Sequence, residues 1–178
     1  MIKKFAGGAS FALLLGLLHV TPVFSQGNPH LTDPEIASVA VVANQNDIGY
    51  AEIAQKRSKN AEVLKFAQTM SNDHKAVIAQ AVALVKKLNV TPKDNAVSKK
   101  LLAGAAKEKK ALEAVSDKAF DKTYIDNEVA YHKAVISTVE GVLIPQAQNA
   151  ELKQLLQKVV PALKTHLAHA QMVQSNLK

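Results

Sequence analysis

Four long stretches of this chain repeat apolar side chains at steps of three and four residues, and that period commits each stretch to an amphipathic helix with one buried stripe. The first stripe runs through Ile36, Ala40, Ala43, Tyr50 and Ala54, and the second through Val63, Ala67, Met70, Val77, Ala81, Leu84 and Leu88. A third follows Ile125, Val135, Val139 and Val142, and a fourth Leu152, Leu155, Val159, Ala162 and Val173. Aromatic residues make up only 4% of the chain, a poor supply for strands, while alanine, leucine and lysine abound. The fold class is therefore all-α.

The punctuation between stripes sets the topology. Thr32 with Glu35 three residues on, and Pro34 between them, marks a helix start, and this helix runs to about Arg57. Asn60 opens the second helix almost at once, so the first two form an antiparallel hairpin. After the loop Asn89–Asn95, a lysine-rich helical pattern covers about Val97 to Val115. At 1.5 Å per residue it travels roughly 27 Å, enough to return along much of a bundle. The third main helix spans about Asp117 to Ile144 and ends at Pro145, and the fourth starts near Asn149 and is expected to kink at Pro161. Two hairpins joined by a crossover helix between the second and third main helices describe a ferritin-like four-helix bundle. An up-and-down five-helix arrangement is the competing topology.

The N-terminus reads as an address. Lys3 and Lys4 precede an apolar run from Phe5 to Val20, and Val23-Phe24-Ser25 supplies a cleavage site, so residues 1–25 are expected to be a signal peptide. The run is shorter than the roughly 20 apolar residues a membrane span needs. No later segment could span a bilayer. Residues 26–32 then form a polar tail and residues 33–178 a single domain, periplasmic or secreted and soluble once the leader is removed. The chain contains no cysteine, which excludes disulfides, Cys-ligated zinc, iron–sulfur clusters, thiol catalysis and a lipoprotein anchor. Any metal must be held by nitrogen and oxygen.

Those ligands are present on the stripes. Of the histidines beyond the leader, His30 lies in the tail, and His74, His132, His166 and His169 all fall at stripe positions. Asp47 and Glu128 replace apolar residues on the first and third stripes, where an unpartnered carboxylate is costly. Folding each hairpin at its turn brings Asp47 close to the level of His74 and Glu128 close to that of His166, with His132 one turn from Glu128. Imidazoles and carboxylates converging from four helices suit a divalent transition metal such as zinc, copper, nickel or iron. They also suit a buried polar network of neutral imidazoles and acids. Asp73, adjacent to His74, is assigned to solvent because neighbouring helical residues do not share a face. Glu52 is read as a surface residue, and Tyr50, Tyr124 and Tyr131 as core or helix-boundary aromatics.

Other chemistries lack their motifs. There is no Gly-rich phosphate loop, no G-x-S-x-G elbow and no H-E-x-x-H helix, which argues against an enzyme of those classes. The net charge of +7 is carried by lysines with a single arginine, Arg57, and few aromatics, which gives no support for nucleic-acid binding. The face at Lys107–Lys110 is a solvated surface or a contact for an anionic envelope component.

Several segments together carry a family resemblance. Ala43-Asn44, Asp47-Ile48, Ile53-Ala54-Gln55-Lys56, Val63 through Phe66-Ala67 to Met70, Asp73-His74, Phe120-Asp121 with Tyr124, His132, and Pro161 through Leu163 to His166-Leu167 make the chain similar to an exported bacterial family. That family is catalogued as domain of unknown function 4142 and is often labelled as predicted outer membrane proteins. The resemblance covers about Asp33 to the C-terminus and implies an exported ferritin-like bundle with recurrent inward histidines, without an established activity. Two features depart from what such a bundle would suggest. Asp47 stands where the family usually carries Glu, and no Glu-x-x-His pair exists, so a di-iron centre lacks its ligand motif. The outer-membrane label finds no residue support, since a barrel needs many alternating strands. Three functions remain in competition: a metal-binding or metal-buffering bundle, a non-catalytic envelope or stress protein whose inward polar groups hold a register, and a small oxidase with an unrecognised metal centre.

Overall fold

The computed structural model describes residues 30–177; the expected signal peptide and residues 26–29 of the tail lie outside them. The described chain is helical: α1 (Asp33–Arg57), α2 (Ala61–Lys87), α3 (Ala96–Ala114), α4 (Asp117–Thr138), a π-helical turn (Val139–Leu143), the single turn α5 (Ile144–Gln146) and α6 (Ala150–Asn176). Side chains at the boundaries explain the helix starts. The Glu35 carboxylate accepts from both the backbone N–H and the hydroxyl of Thr32. Asn60, Asn95 and Asn149 each accept from two of the first backbone N–H groups of α2, α3 and α6, groups that otherwise have no partner. Asn89 adopts a left-handed φ of 53° and ends α2.

The π turn was not foreseen within the third stripe, and Pro145 supplies a physical reason. In α register its ring would meet the Gly141 carbonyl and its missing N–H would break the ladder. The wider turn lets the Ile144 N–H reach the Val139 carbonyl instead. α6, by contrast, continues through Pro161, which lies on the solvent side.

α1 pairs with α2 and α4 with α6, and contacts of α2 with α6 and of α1 with α4 close the ring. α3 packs mainly on α1, with a smaller contact to α4, as a crossover between the hairpins should. The architecture is a ferritin-like helical bundle. Arg57 fastens the crossover. Its guanidinium donates to the carbonyls of Leu112 at 2.5 Å, Glu113 at 3.1 Å and Val115 at 2.7 Å, the groups a helix C-terminus leaves unpaired. The same group pairs with Asp117 at 2.6 Å and lies over the Phe120 ring at 4.6 Å.

Two apolar clusters fill the bundle. The first centres on Phe66, Met70, Leu112, Phe120, Tyr124 and Ile125. The second joins Ile36, Val39, Leu143, Leu152, Leu156 and Leu163 at the other end. Here two sequence expectations need correction. The α2 stripe was expected inward as far as Leu88, but no side chain of α2 beyond His74 is fully buried; Val77, Ala81, Leu84 and Leu88 are half-buried. On α6 the buried series is Leu152, Leu156, Val160, Leu163 and His166, one position on from the expected Leu155, Val159 and Ala162. An apolar stripe is wide enough to admit either register, and the tilt of the helix chooses.

Candidate metal centre

Each helix of the bundle ring brings a polar side chain to one level. α1 supplies Asp47, α2 His74, α4 Glu128 and His132, and α6 His166. The four-residue step from Glu128 to His132 puts both on the inner face of α4. All five are buried, Asp47 and Glu128 with no exposed surface. The ligand atoms of His74, His132 and His166 lie within 4.8 Å of one another, and so do those of Asp47, Glu128 and His132. His132 belongs to both groups. Centroids of the three imidazole rings form a nearly equilateral triangle of 5.3, 5.5 and 5.8 Å.

Hydrogen bonds outside the triangle fix which nitrogen of each ring faces it. Asn44 donates its amide to the Ala40 carbonyl at 2.8 Å, which turns its oxygen toward His74, and the His74 Nδ1–H donates to that oxygen at 2.7 Å. His132 donates Nδ1–H to the Glu128 backbone carbonyl at 3.0 Å. His166 donates Nε2–H to Asp73 Oδ2 at 2.9 Å. The remaining nitrogens, His74 Nε2, His132 Nε2 and His166 Nδ1, are buried and have no hydrogen-bond partner among the described residues. Every imidazole thus has one nitrogen anchored to an oxygen and a bare lone pair on the other, the arrangement by which metal-ligating histidines are oriented.

The electrostatics agree. Burial pushes His74 down to about 3 and His132 to about 4, so both rings are neutral at physiological pH. Burial pushes Asp47 up to about 8, and Glu128 goes well above its usual range because burial and the nearby Asp47 both disfavour its charge. The two acids therefore retain at least one proton between them at neutral pH. Asp47 Oδ2 lies 3.4 Å from His74 Nε2 and 3.7 Å from His132 Nε2, facing lone pairs rather than donors. A protonated Asp47 has an O–H to offer these nitrogens, but both separations exceed that of a well-formed hydrogen bond, and a cation in place of that proton would engage all three groups.

Most of the expected site residues meet here, and one does not. His169 is half-buried, its ring against the edge of Phe66 at 5.1 Å, in neither ligand group. The buried line of α6 continues from His166 to Ala170 and Val173, which leaves His169 at its edge. Asp73, assigned to solvent, has a side chain 51% exposed, yet it reaches across to His166. Asn44 was also missed as a partner of His74, although it lies one turn before Asp47 and shares its face. Tyr131 donates to the Ala43 carbonyl at 2.8 Å and packs edge-on against Tyr50, which places both as walls of the site.

The class that fold and site define is an all-helical bundle carrying a buried layer of three imidazoles and two carboxylates. The chain belongs to the family described as a domain of unknown function (DUF4142), whose family model matches residues 19–173. No curated protein and no solved structure matches the chain. Among the described residues, no helix is long and apolar enough to cross a membrane.

Proposed function

We propose that this chain is an exported metal-binding bundle, in which His74, His132, His166 and Asp47 hold one divalent transition metal and Glu128 stands behind His132 and Asp47. The observation that carries the reading is the set of three inward imidazoles, each anchored through one nitrogen with the other buried and without a hydrogen-bond partner. A self-contained polar network would have used the free imidazole nitrogens, which are left without partners in an apolar interior. The donor set suits zinc, copper, nickel or iron. It does not suit a di-iron centre, which needs four carboxylates and two Glu-x-x-His pairs where this layer has two carboxylates and none of those pairs. Export is supported by the leader in residues 1–25.

Purification without an affinity tag or chelator, followed by metal analysis by mass spectrometry, tests the proposal. One metal per chain is expected. The His74→Ala, His132→Ala double variant should lose it while keeping its far-ultraviolet helical signal. A chain that copurifies with no metal and takes up none of zinc, copper, nickel or iron on titration would overturn it.

A further inference from the structure

Against the histidine layer the helices form a part-open cavity of about 720 Å³, within the size range of small-molecule sites. Asp47, His74, His132 and His166 line it together with a wall of branched aliphatic side chains. That wall includes Val77 and Leu84 of α2, Val135 of α4, and Leu155, Val159 and Leu163 of α6. On this side of His74 the apolar stripe of α2 is only half-buried, and Val77, Ala81 and Leu84 of that stripe line the cavity. Water is poorly held against aliphatic walls, so an apolar cleft of this size favours an apolar occupant. Buried polar atoms without a hydrogen-bond partner mark the cavity's polar wall: His74 Nε2, His132 Nε2 and the carboxyl of Asp47.

We propose that this cavity binds a single-chain aliphatic carboxylate, its hydrocarbon tail between α2 and α6 and its head group on the metal held by the histidine layer. The inference rests on the metal-binding reading above and names the ligand of that same site. A molecule apolar over most of its length and polar at one end matches a cavity built in that way. The head is anionic on charge grounds: three neutral imidazoles and one carboxylate leave a divalent ion with surplus positive charge. Glu128 does not line the cavity and so does not occupy that position. Leu155, Val159 and Ala162, which the α6 helix turns away from its buried line, become contacts for the tail.

Calorimetric titration of the zinc-loaded full chain with straight-chain carboxylates from hexanoate to dodecanoate tests this. Affinity should rise about fourfold per added methylene until the cavity is filled. The alcohol of equal length should bind at least tenfold more weakly. Ala81→Trp, which narrows the cavity from α2, should abolish binding with zinc content and helicity unchanged. Zinc-loaded protein that binds no carboxylate, binds all lengths equally, or binds the alcohol as tightly as the acid would overturn the ligand while leaving the metal site standing. A chain that takes up no zinc would overturn both, and the metal analysis made before titration separates the two failures.

Discussion

The two halves of the bundle are built to different standards. On one side of the histidine layer, Phe66, Met70, Tyr124 and Ile125 are fully buried and all four ring helices contribute. On the other side α2 contributes no buried side chain, its Leu84 only packs partly against the second cluster, and Val82 is 53% exposed. The same helix with the same apolar period behaves in both ways, so the change is made at His74, where α2 meets the polar layer. Close packing on one side holds the imidazoles rigidly and excludes water from their anchoring bonds. The looser packing on the other side leaves a part-open cavity lined by the three histidines. A site that must both hold an ion and admit something to it needs that asymmetry.

The largest expected effect tests the contrast directly. Phe66→Ala should cost about 3–5 kcal/mol in urea unfolding, because its ring is enclosed by Tyr124 and His169 and the site cannot collapse. Leu84→Ala, in the looser half, should cost about 1 kcal/mol or less, since a half-buried side chain loses little on truncation. Equal costs would mean that the second half packs as tightly as the first.

The polar layer itself should show in the pH dependence of the metal-free protein. Asp47 is raised to about 8 in the folded chain, so it favours folding below its unfolded value and that contribution is lost as pH rises toward 8. Glu128, raised for the same reason of burial, acts in the same direction. His74 and His132 are lowered, and they oppose folding as pH falls from their unfolded value toward about 3 to 4. Acids and imidazoles oppose one another between about pH 4 and 6.5, where stability should be nearly flat. From pH 6.5 to 8 only the acids act, and Asp47 alone should remove about 2 kcal/mol. Asp47→Asn should remove the Asp47 share of that loss and leave the Glu128 share, and metal loading, which gives the carboxylate a cation, should also reduce it. An unchanged slope in both cases would place the pH dependence elsewhere.

A smaller effect separates the bundle from its crossover. Arg57→Ala should cost about 2 kcal/mol by freeing the last carbonyls of α3. It should raise hydrogen exchange at the α3–α4 junction, with the metal content of the layer unchanged. Loss of metal in this variant would show that the crossover supports the site as well as the fold.

Much of this was legible in the sequence for a physical reason: helical period is local. Asn60 and Asn149 cap where their positions before the stripes require, and Asp47, His74, Glu128, His132 and His166 interrupt apolar stripes and therefore had to face inward. What escaped depends on helix tilt and separation, which no single stripe encodes. The half-burial of α2 beyond His74, and the α6 register that buries Leu156 and Val160 rather than Leu155 and Val159, are of this kind. Asp73 escaped because helical position describes where a Cβ points and not how far a carboxylate reaches toward the next helix. Asn44 was findable, one turn from Asp47 on the same face, had the anchoring of the imidazoles been sought along with the imidazoles.

X-ray absorption of the zinc-loaded chain tests the central claim most directly, since it reads the ligand shell itself. A first shell with three nitrogens at about 2.0–2.1 Å, showing imidazole outer-shell scattering, plus one carboxylate oxygen is the predicted spectrum. The His166→Ala chain should show one imidazole fewer. A shell of oxygens alone, or an imidazole count unmoved by that substitution, would contradict the assignment of the histidine layer as the metal centre.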